Sequence, residues 1–559
     1  MISWRGRAAV AVAVAVALVL AGCAGGAQPG VAAPHGTQDI NPRDPATLRD
    51  GGTLRLPLDN LPVNYNYNQT DGHEDQTHDV LWALMPRAFD ESPDGGVTLN
   101  TDLLEAADLI SSNPQVVRYR INPKAVWSTG RPITWEDFAA QVRANDGSDP
   151  TYQFSDKTGY VDIWRVGPGA TSKEVVVTFR KPFAEWRGRL FNGLYPEEFN
   201  ADPALFNAGW TQRPEVTAGP FRVESIDQTA KTITLVRNEG WWGARPRLEK
   251  IVWTVTERTA LADRLANNEI DAYEIGSSTD LFERARAIPG VAVRRAIPKQ
   301  YYHVTFNGAP GAILADRALR QAIARGIDRA AIAQRLVGRI VGPPTLMGNH
   351  IYPIGSTGYR DNSGGFGFDP AAAQRELDAL GWLRPSPGAV RVKDGRPLRL
   401  RFVVPSANPI SEQVGKIVLD QLARLGVEVV IDAVPTARFF VDFVNVGNFD
   451  LTAFQWVNTG SPFSDAAGLY QEPRDSDIGG NFGRIHDPAI SAKFAAGVGE
   501  LDDAKRTELG NEIDKLIWDE VHHIPLFPQT GAWAVRDTLA NFGARGLADP
   551  DYARTGFTP

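Results

Sequence analysis

Cys23 is the only cysteine among the 559 residues of this chain, so no disulfide can form within it. Near the N-terminus, Arg5 and Arg7 precede a run of 13 alanine, valine and leucine residues, Ala8 to Leu20. This pattern predicts a secretory signal, because a membrane-spanning helix needs roughly 20 apolar residues. An exported chain without disulfides depends on a large hydrophobic core, and the length that remains predicts two or more lobes.

The apolar run ends in Leu20-Ala21-Gly22-Cys23, which resembles the lipobox of bacterial lipoproteins. In a lipobox the chain is cleaved before the cysteine, and the thiol is diacylated. We therefore predict a signal peptide over residues 1–22, lipidation of Cys23 and a flexible tether over residues 23–50. The predicted location is the cell envelope, on the extracytoplasmic face of the cell membrane. The alternative is an ordinary secretory signal with an incidental cysteine.

The charge of the chain limits its partners. The formal net charge is −8, and the hydrophobic fraction of 43% is typical of a globular protein. A net acidic chain without a basic cluster argues against nucleic acid or anionic lipid as the main partner, so membrane contact is predicted through the lipid anchor only. The sequence holds no nucleophile elbow, phosphate loop, zinc-protease motif or cysteine pair. We predict no enzymatic activity and no cofactor.

Hydrophobic patterning in the first half predicts strands. The alternating run Thr53–Leu58 is typical of a half-buried strand. Lys250–Val255 is predicted to begin a strand–helix–strand unit that returns at residues 270–275.

The second half contains a clearer unit of this kind. Residues 398–404 and 427–431 have the composition of strands, and a helix between them can be capped by Ser411 and ended by Gly426. A parallel pair with a crossover helix is the natural arrangement of such strands. The predicted fold class is therefore α/β with mixed sheets.

Five groups of segments, in a fixed order, carry a resemblance to a known family. They are Val126–Thr134 with Glu136-Asp137-Phe138, Ala218–Phe221, Leu235–Gly243, Val304–Asn307 with Arg317–Ile323 and Gly326–Arg329, and Phe368-Asp369-Pro370 with Leu380-Gly381-Trp382. Together they resemble the extracellular solute-binding proteins of family 5, the oligopeptide, dipeptide and nickel binders of ABC importers. The resemblance runs from about Gly51 to about Phe527. The Ala-, Arg- and Gly-rich composition is typical of an actinobacterial member.

The resemblance implies a periplasmic-binding-protein fold (type II, cluster C), with mixed sheets, two main lobes joined by a hinge, and an extra inserted lobe. Ligand is expected between the first and third lobes, where a hinge closes them around it. The implied boundaries are residues 51–72, 196–298 and 525–559 for lobe I, 73–195 for the inserted lobe II, and 299–524 for lobe III.

Two stretches are expected to line this cleft. Asn64, Tyr65 and Asn66 follow the first strand, and their amide and hydroxyl groups can satisfy the backbone of a peptide regardless of its sequence. An ordinary Asn-rich loop is the alternative. Trp456 should offer the ligand an apolar wall, with Asn458 and Thr459 as neutral polar contacts.

Position 459 departs from the family pattern. The resemblance places an Asp three residues after the tryptophan, where it holds the α-ammonium of a peptide, and this chain has Thr459. A hydroxyl cannot replace a charge-assisted bond from a carboxylate. The ligand is therefore expected to have a blocked or absent amine, to be a sugar-containing peptide, or to bind its amine elsewhere, with Asp465 as one candidate.

Two pairs of histidines could bind a metal ion or have a structural role. His73 and His78 lie close to the expected cleft, but their spacing matches no recognised metal-ligand pattern, and we predict no metal site there. His522 and His523 lie in a segment that resembles the family's return to the first lobe, and we interpret them as structural.

The function predicted from these observations is a substrate-binding lipoprotein of an ABC importer, which captures a peptide-like small molecule and delivers it to the permease subunits. It is expected to act as a monomer. The alternative is an interaction or regulatory lipoprotein of the cell envelope that uses the same fold without transport. An enclosed polar cavity would favour capture, and a filled cleft beside an exposed apolar patch would favour a protein partner.

Overall fold

The structure is a computed structural model that describes residues 38–406, 408–472 and 478–559. The predicted signal peptide, Cys23 and the first part of the predicted tether lie outside these residues. The last part of the predicted tether is folded against the C-terminal region: the backbone N–H of Asp39 donates to Ala544 O over 2.8 Å, and that of Arg49 to Phe557 O over 2.9 Å. The folded domain therefore begins before Gly51, because the C-terminal segment offers partners that the local sequence does not reveal.

Lobe I is built on a mixed four-stranded sheet. Thr53–Leu58, predicted as a strand, pairs in parallel with Lys250–Val255, and two antiparallel strands, Thr232–Arg237 and Phe221–Asp227, complete the sheet. The predicted unit that begins at Lys250 does not return to this sheet. Its second strand, Ala272–Glu274, instead joins a separate antiparallel sheet in the order Ala272–Glu274, Ala532–Arg536, Val291–Arg295.

The inserted lobe carries its own antiparallel sheet. Its strands follow the order Leu104–Ser112, Gln115–Ile121, Glu174–Phe179, Ile163–Pro168. One continuous hydrophobic cluster runs from this sheet into the lobe I sheet and includes Leu54, Val177 and Trp253. Lobes I and II therefore share a core, and lobe III has a different one.

Lobe III contains a five-stranded sheet in the order Glu428–Val434, Arg399–Pro405, Leu451–Val457, Gln300–Phe306, His523–Pro528. The first two strands are parallel, as predicted, and the helix Pro409–Arg424 connects them. Its N-cap is Asn408, whose side chain accepts from the N–H groups of Ile410 and Ser411. The prediction of Ser411 as cap is wrong, because Pro409 can occupy the first helical turn and moves the start of the helix upstream.

Two short segments connect lobes I and III. The chain passes from the strand Val291–Arg295 to the strand Gln300–Phe306 through residues 296–299, and it returns through residues 529–531. Residues 525–528 pair within the lobe III sheet, so the return occurs later than the expected boundary at residue 525. His522 and His523 are buried at the edge of this sheet, in structural positions.

The remaining elements cover these sheets or connect them, and no helix of the described residues is long and apolar enough to span a membrane. The two-stranded ribbons are Phe89–Glu91 with Val97–Leu99, Val392–Lys393 with Arg396–Pro397, and Leu539–Ala540 with Gly556–Phe557. The other α-helices are Asp75–Leu81, Trp135–Asn145, Trp186–Arg189, Glu197–Asn200, Pro203–Ala208, Leu261–Ala266, Thr279–Ala287, Arg317–Arg325, Arg329–Val341, Pro370–Ala379, Thr436–Arg438, Pro462–Tyr470, Pro488–Gly497 and Asp503–Glu520, and Phe439–Val444 is a π-helix. Short 3₁₀ turns lie at Pro45–Thr47, Thr70–Gly72, Tyr160–Asp162, Arg258–Ala260, Ile313–Ala315 and Ser363–Gly365.

Candidate functional site

A cavity of about 460 Å³ lies where the three lobes meet. Lobe I contributes the end of its first strand at Leu56–Asp59, and lobe II contributes residues around Asp156 and Arg189. Lobe III contributes Val457–Gly460, the turn that follows one of its central strands. The cavity is therefore the interlobe site that the sequence predicts, although not all of the predicted residues reach it.

The hinge segments form one wall of this cavity. Pro298, Lys299 and Gly531 line it, and the backbone N–H of Asn458 donates to Lys299 O over 3.3 Å. Gly531 has a φ of +53°, and a Cβ at this position would overlap the carbonyl oxygen of Ala296. Only glycine fits here, because the two crossings approach each other backbone to backbone.

Asn64, Tyr65 and Asn66, which the sequence predicts as ligand contacts, do not line the cavity. They are 2%, 0% and 1% exposed. The Asn64 amide donates to Asn207 O, and the Asn66 amide donates to Phe206 O, both over 2.9 Å. Their side chains join the loop to the helix of residues 203–208, because buried amides need partners.

The residues that do face the cavity from this loop are Tyr67 and Asn68. Tyr67 packs its ring 4.3 Å from that of His73 and 5.9 Å from that of Trp82. The two cleft histidines therefore line the cavity, with His78 stacked on Trp82 at 3.6 Å. Burial lowers the pKa of His73. Among the described residues, no group of three or more His, Cys, Asp or Glu side chains is placed to hold a metal ion.

Trp456 is also outside the cavity wall. Its ring stacks on Phe482 at 5.5 Å and on His303 at 5.6 Å, with nearly parallel planes. The structure does not place Trp456 in the wall of this cavity, where the sequence predicts it, because the pleat of the strand Leu451–Val457 turns this side chain into an aromatic cluster of lobe III. The alternative, that Trp456 supports the core, agrees with these contacts.

Asn458 and Thr459 do line the cavity. The Thr459 hydroxyl donates to the Asp465 carboxylate and accepts from the backbone N–H of Ser461 over 3.1 Å. Asp465 is held in turn by Arg189, with 2.8 Å between Nη1 and Oδ1, and it does not line the cavity. Thr459 thus belongs to the hydrogen-bond network of this turn. A carboxylate in place of its hydroxyl would face the carboxylate of Asp465.

The described residues that line the cavity include seven carboxylates and four lysine or arginine side chains. The wall is therefore net negative. Three of the four cations are paired: Arg545 with Asp79 at 3.1 Å, Lys299 with Glu91, and Arg189 with Asp156. The fourth, Arg258, donates to the backbone carbonyls of Glu274 and Ile275. Positive charge in the wall is thus already engaged.

The profile described as "Bacterial extracellular solute-binding proteins, family 5 Middle" matches residues 98–476. This chain belongs to family 5 of the bacterial extracellular solute-binding proteins. The oligopeptide-binding protein OppA of Mycobacterium tuberculosis is 44% identical over 524 residues, which cover 93% of this chain and 87% of OppA. The uncharacterized lipoprotein Rv2585c of the same organism is 26% identical over 523 residues, which cover 84% of this chain and 86% of that protein.

A solved structure confirms the fold class of this family 5 chain. The periplasmic EDTA-binding protein EppA superposes with a TM-score of 0.85 at 26% identity, covering 95% of this chain and all of EppA. The fold is the type II, cluster C periplasmic-binding-protein fold, with mixed sheets and an inserted lobe.

Lobes II and III of this family 5 chain contact each other directly beside the cavity. Glu185 of lobe II is 9% exposed, and its carboxylate accepts from the backbone N–H groups of Phe463 over 3.1 Å and Ser464 over 2.7 Å. These groups begin the helix Pro462–Tyr470, and burial raises the pKa of the Glu185 carboxyl. Nothing in the local sequence around Glu185 indicates this contact, which joins segments 278 and 279 residues apart in the chain.

Proposed function

We propose that this protein captures a peptide-like solute in the interlobe cavity and delivers it to the permease of an ABC importer. The observation that supports this proposal is the cavity itself, which lies next to the hinge and is surrounded by the three lobes. Its volume of about 460 Å³ lies within the roughly 300–1,000 Å³ that is usual for small-molecule sites. The 44% identity to an oligopeptide-binding protein supports a peptide as the solute. The protein acts as a monomer without enzymatic activity or cofactor.

The charge of the wall favours a peptide over a metal–EDTA chelate. An anionic chelate needs positive groups that are free to bind it, whereas three of the four cations here are paired with carboxylates. Seven carboxylates around the same space would repel it. The EDTA-binding relative therefore supports the fold of this chain and not its ligand.

A true ligand should stabilise the protein. At a hundred times its dissociation constant, a peptide that binds only the folded state adds about 2.7 kcal/mol to the free energy of unfolding. We expect this gain from a member of a library of short peptides and glycopeptides, measured by chemical denaturation, together with a smaller radius of gyration in solution scattering. Free amino acids at the same concentrations are the control. A library without effect, alongside specific capture of an envelope protein, would favour the regulatory alternative.

We further propose that Cys23 is the acylated first residue of the mature protein. The support is Leu20-Ala21-Gly22-Cys23 directly after the apolar run, together with a relative named as a lipoprotein. Two acyl chains anchor a protein stably, whereas one does not. Cys23→Ala should move the protein from the membrane fraction to the soluble fraction, and the wild-type mass should exceed that of its polypeptide. A Cys23→Ala protein that stays in the membrane fraction, uncleaved and with no change in mass, would contradict the lipid anchor.

A further inference from the structure

The negative charge of the cavity wall is concentrated on a few unpaired carboxylates. Four of the seven lie more than 4 Å from any Lys, Arg or His nitrogen of the described residues, and one of these, Asp549, accepts a hydrogen bond from the backbone of Glu91. Asp59 and Asp75 are exposed at the rim. Glu274 is the fourth, and it is more buried than the two rim residues. Its carboxylate has no hydrogen-bond or ion-pair partner in the described part of the chain.

Glu274 stands beside an aromatic side chain. It ends the strand Ala272–Glu274 and lies directly opposite Trp533 in the antiparallel register, so the two side chains share one face of the sheet. Both line the cavity, whereas Tyr273 turns to the other face and donates to Leu281 O over 3.0 Å. A carboxylate next to an indole ring is an arrangement that suits a cation, because both attract positive charge.

Two further observations describe the polar groups of this wall. Burial raises the pKa of Glu274, while the nearby charges of Arg258 and Arg545 lower it. Trp82 lines the same cavity at 5% exposure, and its indole Nε1–H has no acceptor among the described residues. Buried polar groups in proteins are normally paired, so the indole N–H of Trp82 points to a polar ligand in this cavity.

We propose that Glu274 binds a primary ammonium group of the ligand, and that Trp533 packs against the same group. This inference rests on the proposed peptide-binding function and places the anchor on lobe I instead of on the turn at Thr459. The ammonium is either the free α-amine of a peptide or the side chain of a lysine. Both present the same chemistry to the carboxylate, and three peptides distinguish them.

The experiment is calorimetric titration of the mature protein with three probes. Trialanine carries only an α-ammonium, N-acetyl-Ala-Lys-Ala carries only a side-chain ammonium, and N-acetyl-trialanine carries neither. We expect at least one ammonium-bearing probe to bind about 10- to 100-fold more tightly than N-acetyl-trialanine, the range for a hydrogen bond to a charged group. Glu274→Gln should abolish this preference, because the neutral amide cannot form the charge-assisted bond to the ammonium. Glu274→Asp should retain part of the preference.

Asp59→Asn is the matched control, because it removes one charge from the rim of the same cavity. If Asp59→Asn and Glu274→Gln reduce the preference equally, the wall acts only through its overall charge and Glu274 is not the anchor. A preference that survives Glu274→Gln also overturns the inference, while peptide binding stands. If the wild-type protein binds none of the three probes or any library peptide, the proposed function fails and the inference fails with it. Unchanged denaturation midpoints would show that the variants are folded.

Discussion

Lowering the pH from 7.5 to 5 should reduce the free energy of unfolding by about 2 kcal/mol through the buried His303, and His522 and His523 should add to this loss in the same direction. Burial lowers the pKa of His303 to about 3, and it lowers the pKa of His522 and His523 well below 6.5. The unfolded chain binds a proton at each of these residues near pH 6.5, whereas the folded protein does not. Stability is therefore fully present above pH 7 and falls as the pH decreases through 6.5.

The cause of these pKa shifts is the packing of lobe III. His303 is fully buried between aromatic rings, and His523 lies 4.6 Å from it and 4.7 Å from His350, centroid to centroid. Asp514 is the carboxylate of this region, but it is hydrogen-bonded to His350 at 2.6 Å. The Nε2 atoms of His303 and His522 have no hydrogen-bond partner in the described residues. A proton on either ring would be a buried charge without compensation.

His303→Phe tests this expectation, because the apolar ring keeps the stacking and cannot be protonated. The variant should be more stable than the wild type at pH 5 by about 2 kcal/mol, relative to the difference at pH 7.5. Urea denaturation at both pH values measures this. His486, which is partly exposed at 3.6 Å from Glu472, provides the control variant His486→Gln. If the two variants change the pH dependence equally, the buried cluster is not its source.

The fold could be predicted from the sequence because its signals are local. The alternating run at residues 53–58 and the strand–helix–strand pattern that ends near residue 434 both form as expected. Each of these elements depends on hydrophobic periodicity over a few helical turns or strand residues. A single segment of the sequence contains that signal. The family resemblance, which depends on the order of the matching segments, then implied the arrangement in lobes.

Only the location of the site could be predicted from the sequence, because the direction in which each side chain points depends on partners far away in the chain. Asn64 and Asn66 are turned inward by carbonyl groups at residues 206 and 207, and Tyr67 and Asn68, next in the chain, face the cavity instead. Glu274 lies in a segment predicted as a strand, but its place beside Trp533 depends on pairing with the C-terminal return. Sequence spacing holds no information on such contacts.

The contact between lobes II and III gives a second large expected effect. The helix Pro462–Tyr470 has no capping bond from the side chain of its own N-cap residue, Ser461. Glu185 from the other lobe accepts from two of its first N–H groups instead. A carboxylate at this end also interacts favourably with the positive end of the helix dipole. The carboxylate of Glu185 therefore caps the helix only while the lobes are closed.

Glu185→Ala should weaken closure by about 2 kcal/mol, because it leaves two backbone N–H groups at the start of the helix without their acceptor. One other contact between these lobes, Arg189 with Asp465, is partly exposed and worth less. A ligand that binds the closed form must then supply this energy, so its apparent affinity should fall by up to about 30-fold. The affinity for a library peptide, measured by titration, tests this expectation.

Amide hydrogen exchange tests the same contact without a ligand. The N–H groups of Phe463 and Ser464 should exchange slowly in the wild type and faster in Glu185→Ala, since the variant leaves them without an acceptor and favours the open lobes. Glu105→Ala is the matched control, because Glu105 is an exposed glutamate on a strand of the same lobe. Equal exchange at these two amides in the wild type and Glu185→Ala, with an unchanged ligand affinity, would show that Glu185 does not hold the lobes together. Faster exchange together with the expected loss of affinity would identify the Glu185 carboxylate as the group that couples the start of this helix to closure of the cavity.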